Sequence, residues 1–308
     1  MAKHYPVQRH IRLAEGASPQ SNNATMLVRV DRELSRVNKR LYRQSRVPSC
    51  KISIDANVAA GQGVDVYVLR DTWMNMKAYQ TAKKIFDENS KQENEMLART
   101  NKARWNDFRV NMGLSSFAEL DAVIEGETTA TKMFGVGEYE LTEVTDAAGT
   151  AQTFRWIGTG TNTFNIVDEY DRTGDTSQMP TFAQTSVAYD GLEDEIDDSQ
   201  LEHLSGDGNL PPYDGRVMEN DVLVRVARLV NDGTGTSKLS TGFFNAPCGF
   251  IILEGVGGAT SVTLDSAITL EVQAGDYKGV KAPTYLEDTR VYASSSKSSN
   301  AKHNVRIR

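Results

Sequence analysis

The stretches KLSTGFFNAPCGFIILEG (residues 238–255) and SVTLDSAITLEVQAGD (residues 261–276) decide the fold class of this chain. Both contain short runs rich in Thr, Val, Ile, Leu and Phe, and Gly, Asn, Pro and Asp separate the runs. Such runs between turn residues are typical of β-strands joined by short connections. We therefore predict neighbouring antiparallel strands in the C-terminal part of the chain, with these two stretches as the last pair.

Runs of the same kind extend this pattern towards the N-terminus. Residues 50–71 contain two alternating runs, one around Ile52 and one around Val66, separated by AAGQG. From about residue 130 the runs are YELTEV (139–144), TAQTFRWIG (150–158), TNTFNIVDEY (161–170) and DVLVRVARLV (221–230). Strands and helices do not alternate along the chain, so a parallel-sheet enzyme fold is not expected. The sequence predicts a mainly β protein, an antiparallel sandwich or barrel.

Residues 24–46, which include MLVRVDRELSRVNKRLYRQSR (26–46), carry two stripes of side chains at helical spacing. The apolar stripe is Leu27, Val30, Leu34, Val37 and Leu41, and the basic stripe is Arg29, Arg32, Arg36, Lys39 and Arg43. An offset of two residues places the stripes on opposite helix faces. Residues 28–31 also alternate as a strand would, but the length of the pattern favours a helix. We predict an amphipathic helix that ends before Pro48.

Residues 72–110 contain no Gly or Pro and are rich in helix-forming residues. They predict one long helix inserted into the β body, or two helices in series with a break near Asn89 and Ser90. The side chains expected to face a core are Trp73, Met76, Tyr79, Ile85 or Phe86, Trp105 and Phe108.

The net charge of −7 conceals an uneven distribution along the chain. Residues 1–50 contain ten Lys or Arg and three acidic residues, and residues 290–308 contain five Lys or Arg and no acidic residue. The rest has 19 basic and 38 acidic residues. Basic ends on an acidic body are typical of proteins whose ends meet a polyanion or their own acidic surface.

These basic segments are the candidate nucleic-acid interface. The candidate residues are Arg29, Arg32, Arg36, Lys39, Arg40, Arg43 and Arg46 near the N-terminus, and Lys302, Arg306 and Arg308 in the tail. Arrays of Arg and Lys bind phosphate backbones without reading sequence, and the guanidinium fork suits phosphate. Two alternatives stay open for the helix: a solvated basic face, or contact with an anionic lipid surface.

Residues 190–216 form a long acidic polar segment that we predict to be a surface loop. Its carboxylates Asp194, Glu195, Asp197 and Asp198 are candidate ligands for calcium, which prefers oxygen ligands from loops. Their spacing is not that of an EF-hand, and a solvated acidic loop without metal is the favoured interpretation. No other cofactor is expected.

No catalytic constellation is evident. The four histidines are His4, His10, His203 and His303, and no nucleophile elbow, phosphate loop or zinc-protease motif accompanies them. Cys50 and Cys248 are expected to be buried free thiols of a protein made in a reducing cytosol. The polar, basic start of the chain predicts no signal peptide, and no run is long and apolar enough for a membrane span.

An antiparallel β body with a basic N-terminal arm, an amphipathic helix and a basic C-terminal tail resembles the jelly-roll major capsid proteins of small icosahedral viruses. The residues that carry the resemblance are the arm (1–48), the strand series from Cys50, and the closing pair 238–255 and 261–276. The resemblance implies a jelly-roll domain over 49–289 with the helical insertion 72–110, flanked by the arm and by a basic tail over 290–308. A double jelly roll would need about sixteen strands, more than the roughly ten visible here. The shell fold of tailed phages, with its long spine helix, is a further alternative.

The resemblance also implies a function. The chain would be a viral structural protein, made in host cytoplasm, that assembles with copies of itself into an icosahedral shell around an RNA or DNA genome. The competing hypothesis is a non-viral β-sandwich adhesin or lectin that uses the acidic loops and calcium, and the expected lack of a signal peptide argues against it. Both hypotheses describe a protein that is not an enzyme.

Overall fold

The computed structural model describes residues 6–15, 25–55, 63–96, 105, 107–113, 118–123, 142–145, 151–157, 163–167, 169–170, 222–231, 233, 238–256 and 267–285. The strands are β1 (His10–Glu15), β2 (Thr25–Arg29), β3 (Ser49–Asp55), β4 (Gly63–Leu69), β5 (Ala118–Ala122), β6 (Glu143–Thr145), β7 (Ala151–Arg155), β8 (Thr163–Asn165), β9 (Leu223–Val230), β10 (Lys238–Ser240), β11 (Phe244–Asn245), β12 (Phe250–Val256), β13 (Ala267–Val272), β14 (Ala274–Gly275) and β15 (Gly279–Val280). The helices are α1 (Val30–Asn38) and α2 (Trp73–Met96). The chain is mainly β, as the sequence predicts.

The chain divides into two compact units. The first contains residues 1–68, 118–136 and 226–308, and the second contains residues 69–117 and 137–225. This division differs from the predicted sequence of arm, body and tail. Strands β1 and β2, predicted to lie in a separate arm, belong to the main sheet because each is paired along both of its edges.

A large, nearly closed mixed sheet dominates the first unit. Its strand order is β10-β3-β13-β1-β5-β2-β12-β4-β9, and β11 also pairs with β3. The prediction of a purely antiparallel sheet is wrong at β5, which is antiparallel to β1 but parallel to β2. Strands β1 and β2 run in opposite directions, so any strand inserted between them must be parallel to one of them.

Four pairs of consecutive strands build the rest of this sheet. On one side of β5 the order is β1-β13-β3-β10, and on the other side it is β2-β12-β4-β9. Each side of β5 therefore takes one strand from every pair, at the same position. Counted outward from β5, the pairs are β1/β2, β12/β13, β3/β4 and β9/β10. The pairings β1–β13, β13–β3, β3–β10, β2–β12 and β12–β4 are all antiparallel.

The core of the first unit is formed by alternate side chains of these strands. Ile52 and Ile54 of β3 and Ile268 and Leu270 of β13 are at most 1% exposed. Between them stand polar residues such as Lys51 of β3, which lies 4.0 Å from Glu271 of β13 across the sheet. In β3 and β13, the alternation seen in the sequence is thus the alternation of a fully buried and a half-buried sheet face.

The two cysteines are buried free thiols, as predicted. Burial raises the pKa of the Cys50 thiol far above its ordinary value, because the thiolate would lose its hydration. We expect Ellman's reagent to react with neither cysteine of the native protein on a time scale of minutes, since the thiolate is the reactive form. Two equivalents should react in denaturant, and rapid reaction of either thiol in the native protein would contradict this placement.

The prediction of one helix over residues 24–46 is wrong in its bounds. Residues 25–29 form β2, which lies between β12 and β5, and only residues 30–38 are helical. The helix ends at Lys39, which adopts a left-handed conformation with φ of 48°, well before Pro48. The chain then folds back, since the Tyr42 N–H donates to the Ser35 hydroxyl at 2.8 Å. The strand interpretation of residues 28–31 holds only as far as Arg29.

The second unit contains α2 and the three-stranded sheet β6-β7-β8. The predicted helix over 72–110 is confirmed for residues 73–96 and continues through Asn89 and Ser90 without a break. Residues 107–113 are not helical. Of the predicted core residues, Met76, Tyr79 and Phe108 are buried, whereas Trp73, Ile85 and Trp105 are exposed. Neither helix of the described chain is long and apolar enough to cross a membrane.

An aromatic cluster forms the core of this unit. The Tyr79 ring of α2 lies parallel to that of Trp156 with centroids 6.0 Å apart, and it tilts against Phe108 at 5.2 Å. Phe108 also contacts Phe86 and Phe154 at about the same distance. Phe108 therefore reaches the core from an extended segment and not from the predicted helix.

Candidate nucleic-acid interface

Three of the predicted nucleic-acid-binding residues are buried. Arg29 and Arg32 are 2% exposed and Arg36 is 7% exposed. The prediction that they form an exposed basic face is therefore wrong. Arg29 is the last residue of the interior strand β2, and Arg32 and Arg36 lie on the face of α1 that turns towards β5.

Arg32 and Arg36 belong to an arginine clasp that we define as Arg32, Glu33 and Arg36 of α1 with Glu119 and Asp121 of β5. The Arg32 guanidinium donates to Glu33 at 2.8 Å, to Asp121 at 2.5 Å and to Glu119. Arg36 donates to Glu33 at 3.1 Å and to Asp121 at 2.7 Å. Glu33 also accepts the backbone N–H of Ala122 at 2.7 Å. The clasp fixes α1 to β5.

The electrostatics of the clasp follow from its burial. Burial raises the pKa of Glu33, and the charges of Arg32 and Arg36 oppose that rise. Burial also acts to raise the pKa of Glu119, but the arginine charges, that of Arg32 first, outweigh it and lower the pKa. Burial favours the neutral form of Arg32, yet the charges of Glu33, Glu119 and Asp121 raise its pKa overall. These arginines neutralise internal carboxylates.

The remaining basic residues of the segment, Lys39, Arg40, Arg43 and Arg46, lie at the protein surface. Lys39 and Arg43 are exposed, and Arg40 and Arg46 are half-buried. This part of the chain packs against residues 277–285, which follow the last strands of the main sheet. The Val47 N–H donates to the Pro283 carbonyl at 2.9 Å, and the Arg43 N–H donates to the Tyr277 hydroxyl at 3.2 Å.

Two lysines missed by the sequence analysis lie in the segment 277–285, which packs against this part of the chain. Lys278 lies in the turn between β14 and β15, where its ammonium group donates to the Leu41 carbonyl. Lys281 follows β15 and is exposed. We call the six residues Lys39, Arg40, Arg43, Arg46, Lys278 and Lys281 the cationic surface. Residues 39–48 and 277–285 contain no Asp or Glu, and Asp276, in the same turn as Lys278, is the acidic residue next to this surface in the sequence.

Aromatic side chains hold the two segments together. The Arg46 guanidinium lies 4.1 Å from the centroid of the Tyr277 ring, and the Tyr42 and Tyr277 rings meet edge to face at 6.0 Å. The Tyr42 hydroxyl donates to the Lys278 carbonyl at 3.0 Å. The pairing of residues this distant in sequence explains why sequence reasoning missed Lys278 and Lys281. The one signal for these lysines in the sequence was the run KGVK (residues 278–281), which is followed by residues that are not acidic, APTY.

The other predicted site residues lie outside the described ranges. They are Lys302, Arg306 and Arg308 of the tail and the candidate calcium ligands Asp194, Glu195, Asp197 and Asp198. Within the described ranges, no group of three or more His, Cys, Asp or Glu side chains is placed to hold a metal ion.

Comparison of the chain with protein families, curated proteins and solved structures gives no match to any of them.

Proposed function

We propose that this chain is the major structural protein of a virion, which assembles with copies of itself into an icosahedral shell around a nucleic-acid genome. The observation that supports the fold of such a protein is the order of the strands in the main sheet. Numbered along the chain, the four strand pairs β1/β2, β3/β4, β9/β10 and β12/β13 are first, second, third and fourth. Across the sheet they stand in the order first, fourth, second, third, counted outward from β5.

This order supports a jelly roll as the proposed fold of the first unit. In that fold a chain of four strand pairs is wound so that the last pair lies between the first and the second, which gives two facing four-stranded halves. Strands β1, β13, β3 and β10 would form one half, and β2, β12, β4 and β9 the other. Strand β5 is an addition that joins the halves along one edge. Residues 70–222, which include β5, lie between β4 and β9 in the chain and would be the insertion.

A jelly roll occurs in capsid proteins and also in lectins and other binding proteins, so the fold alone does not select a function. The feature that favours a shell around a genome is the cationic surface. An otherwise acidic chain keeps six cations together there, and packaged nucleic acid is a polyanion that such a surface would neutralise.

The test is the size and content of the purified full-length protein. We expect uniform particles of megadalton mass in light scattering and electron microscopy, with an absorbance ratio at 260 and 280 nm raised by nucleic acid. Nuclease treatment before and after dissociation in high salt is the control that separates enclosed from adhering nucleic acid. A monomer or small oligomer at all salt and protein concentrations would overturn the proposal.

A further inference from the structure

We propose that the cationic surface binds the phosphate backbone of nucleic acid, and that Lys278 and Lys281 are binding residues together with the segment 39–46. This inference rests on the proposed function for the identity of the polyanion. It goes beyond that function because it locates binding on the folded body, on two segments that are distant in sequence, and not in the basic ends alone.

The contacts between the two segments bring cations of both together, with Asp276 as the one acidic residue of the turn between β14 and β15. The Lys278 ammonium group lies against the Leu41 carbonyl and 5.8 Å from the centroid of the Tyr42 ring. Leu41 and Tyr42 are the two residues between Arg40 and Arg43 in the sequence. Arg46 lies over Tyr277, the neighbour of Lys278. A phosphate chain that meets Arg43 is therefore also near Lys278. Like charges repel each other, so such an arrangement on a folded surface is stabilised by binding an anion.

Two of the cations on this surface are held in place before any ligand binds. Arg46 is held on the Tyr277 ring, and Lys278 is held by its turn and by the Leu41 carbonyl. The turn itself is fixed by backbone hydrogen bonds of 3.0 Å between Tyr277 and Val280 in both directions. Binding to fixed cations loses less side-chain entropy than binding to mobile ones.

The positions of the exposed apolar side chains favour nucleic acid over a membrane surface as the partner. A protein that lies on anionic lipid inserts apolar side chains between its cations. The large apolar side chains exposed in the described chain are Trp73, Ile85, Trp105, Val224, Val226, Val230 and Phe243, and none of them lies in residues 39–48 or 277–285. Tyr42 and Val47 are buried in the protein itself. The surface therefore offers charge without an apolar anchor, as a phosphate backbone requires.

The test measures binding of a fluorescein-labelled oligothymidine strand to the full-length protein by anisotropy, as a function of salt. The variants are Arg43→Ser, Lys281→Ser and the double variant, because both side chains are exposed and come from different segments. Each phosphate contact to a single strand contributes about 0.7 to the logarithmic salt slope. We expect each single variant to reduce the slope by about 0.7, and the double variant to bind on the order of tenfold more weakly at low salt.

Two matched controls accompany these variants. Arg43→Lys with Lys281→Arg retains both charges and should keep the salt slope, while Lys84→Ser with Lys238→Ser removes the same charge from α2 and β10. The second control should leave the slope unchanged, because those residues lie outside the cationic surface. Thermal unfolding of every variant excludes loss of the fold.

The outcomes separate this inference from the proposed function. An unchanged slope in Lys281→Ser would overturn the composite surface, even if the protein forms particles. A reduced slope supports it even if no particles form. An equal decrease of the salt slope in the Lys84/Lys238 control would show that the effect depends only on net charge, and it would overturn the inference. If the variants lose binding to phosphatidylserine vesicles but keep oligonucleotide binding, the inference is overturned in favour of a membrane surface.

Discussion

Replacement of Glu33 by alanine is expected to lower the unfolding free energy of the first unit by about 3–5 kcal/mol. Glu33 is fully buried and accepts hydrogen bonds from Arg32, Arg36 and the backbone of Ala122. Its removal leaves the buried guanidinium groups of Arg32 and Arg36 with fewer carboxylate partners. Urea unfolding monitored by circular dichroism measures the loss, and hydrogen exchange of peptides 25–38 and 118–123 localises it.

The matched control is Glu119→Gln in the same clasp. The Glu119 side chain is 38% exposed, so solvent screens its pairing with Arg32 and the change should cost at most about 1 kcal/mol. Glu33→Gln keeps the shape of the side chain and should lie between the two. Equal effects of Glu33→Ala and Glu119→Gln would show that burial does not determine the strength of the clasp.

Replacement of Trp156 by alanine is expected to cost about 3–5 kcal/mol in the second unit. The Trp156 side chain is fully buried and lies parallel to the Tyr79 ring of α2. Alanine would leave a cavity beside Tyr79 and remove the aromatic contact. The loss is measured as a decrease of the urea midpoint, together with faster hydrogen exchange in peptides of α2.

Trp156→Phe is the control for this prediction, because it keeps an aromatic ring and most of the buried volume. It should cost less than half as much as alanine. Faster exchange in α2 for both variants to the same extent would mean that the indole itself, and not the volume of the cavity, determines the stability of the cluster.

The strands were the most predictable part of the fold, for a local physical reason. In β3 and β13, alternate residues face the core, so periodicity within a few residues reveals both the strand and its buried face. The long helix was predictable for the same reason, since residues 73–96 contain no helix breaker.

The segment 25–46 was mispredicted because its structure depends on residues far away. Alternating and helical spacing overlap there, and pairing with β12 and β5 decides in favour of a strand up to Arg29. The charges were misjudged for the same reason. A local pattern shows Arg32 and Arg36 as a basic face, but Glu119 and Asp121 of β5 neutralise them after folding.

The candidate site was predictable only in the half that is continuous in sequence. Lys39, Arg40, Arg43 and Arg46 were found as a basic run, and they stay at the surface. Lys278 and Lys281 are an unremarkable pair in the sequence, and only folding places Lys278 against Leu41 and Tyr42, with Lys281 following in the same segment.

The pairing of β1 with β13 has a consequence for the timing of biosynthesis. His10 of β1 lies opposite Glu271 of β13, so β1 needs a strand that is synthesised about 260 residues later. At about 5–20 residues per second, the ribosome synthesises β13 roughly ten to fifty seconds after β1. During that interval the chain cannot close its sheet. The main sheet of the first unit can therefore form only after β13 has been synthesised, so this unit folds late during or after translation.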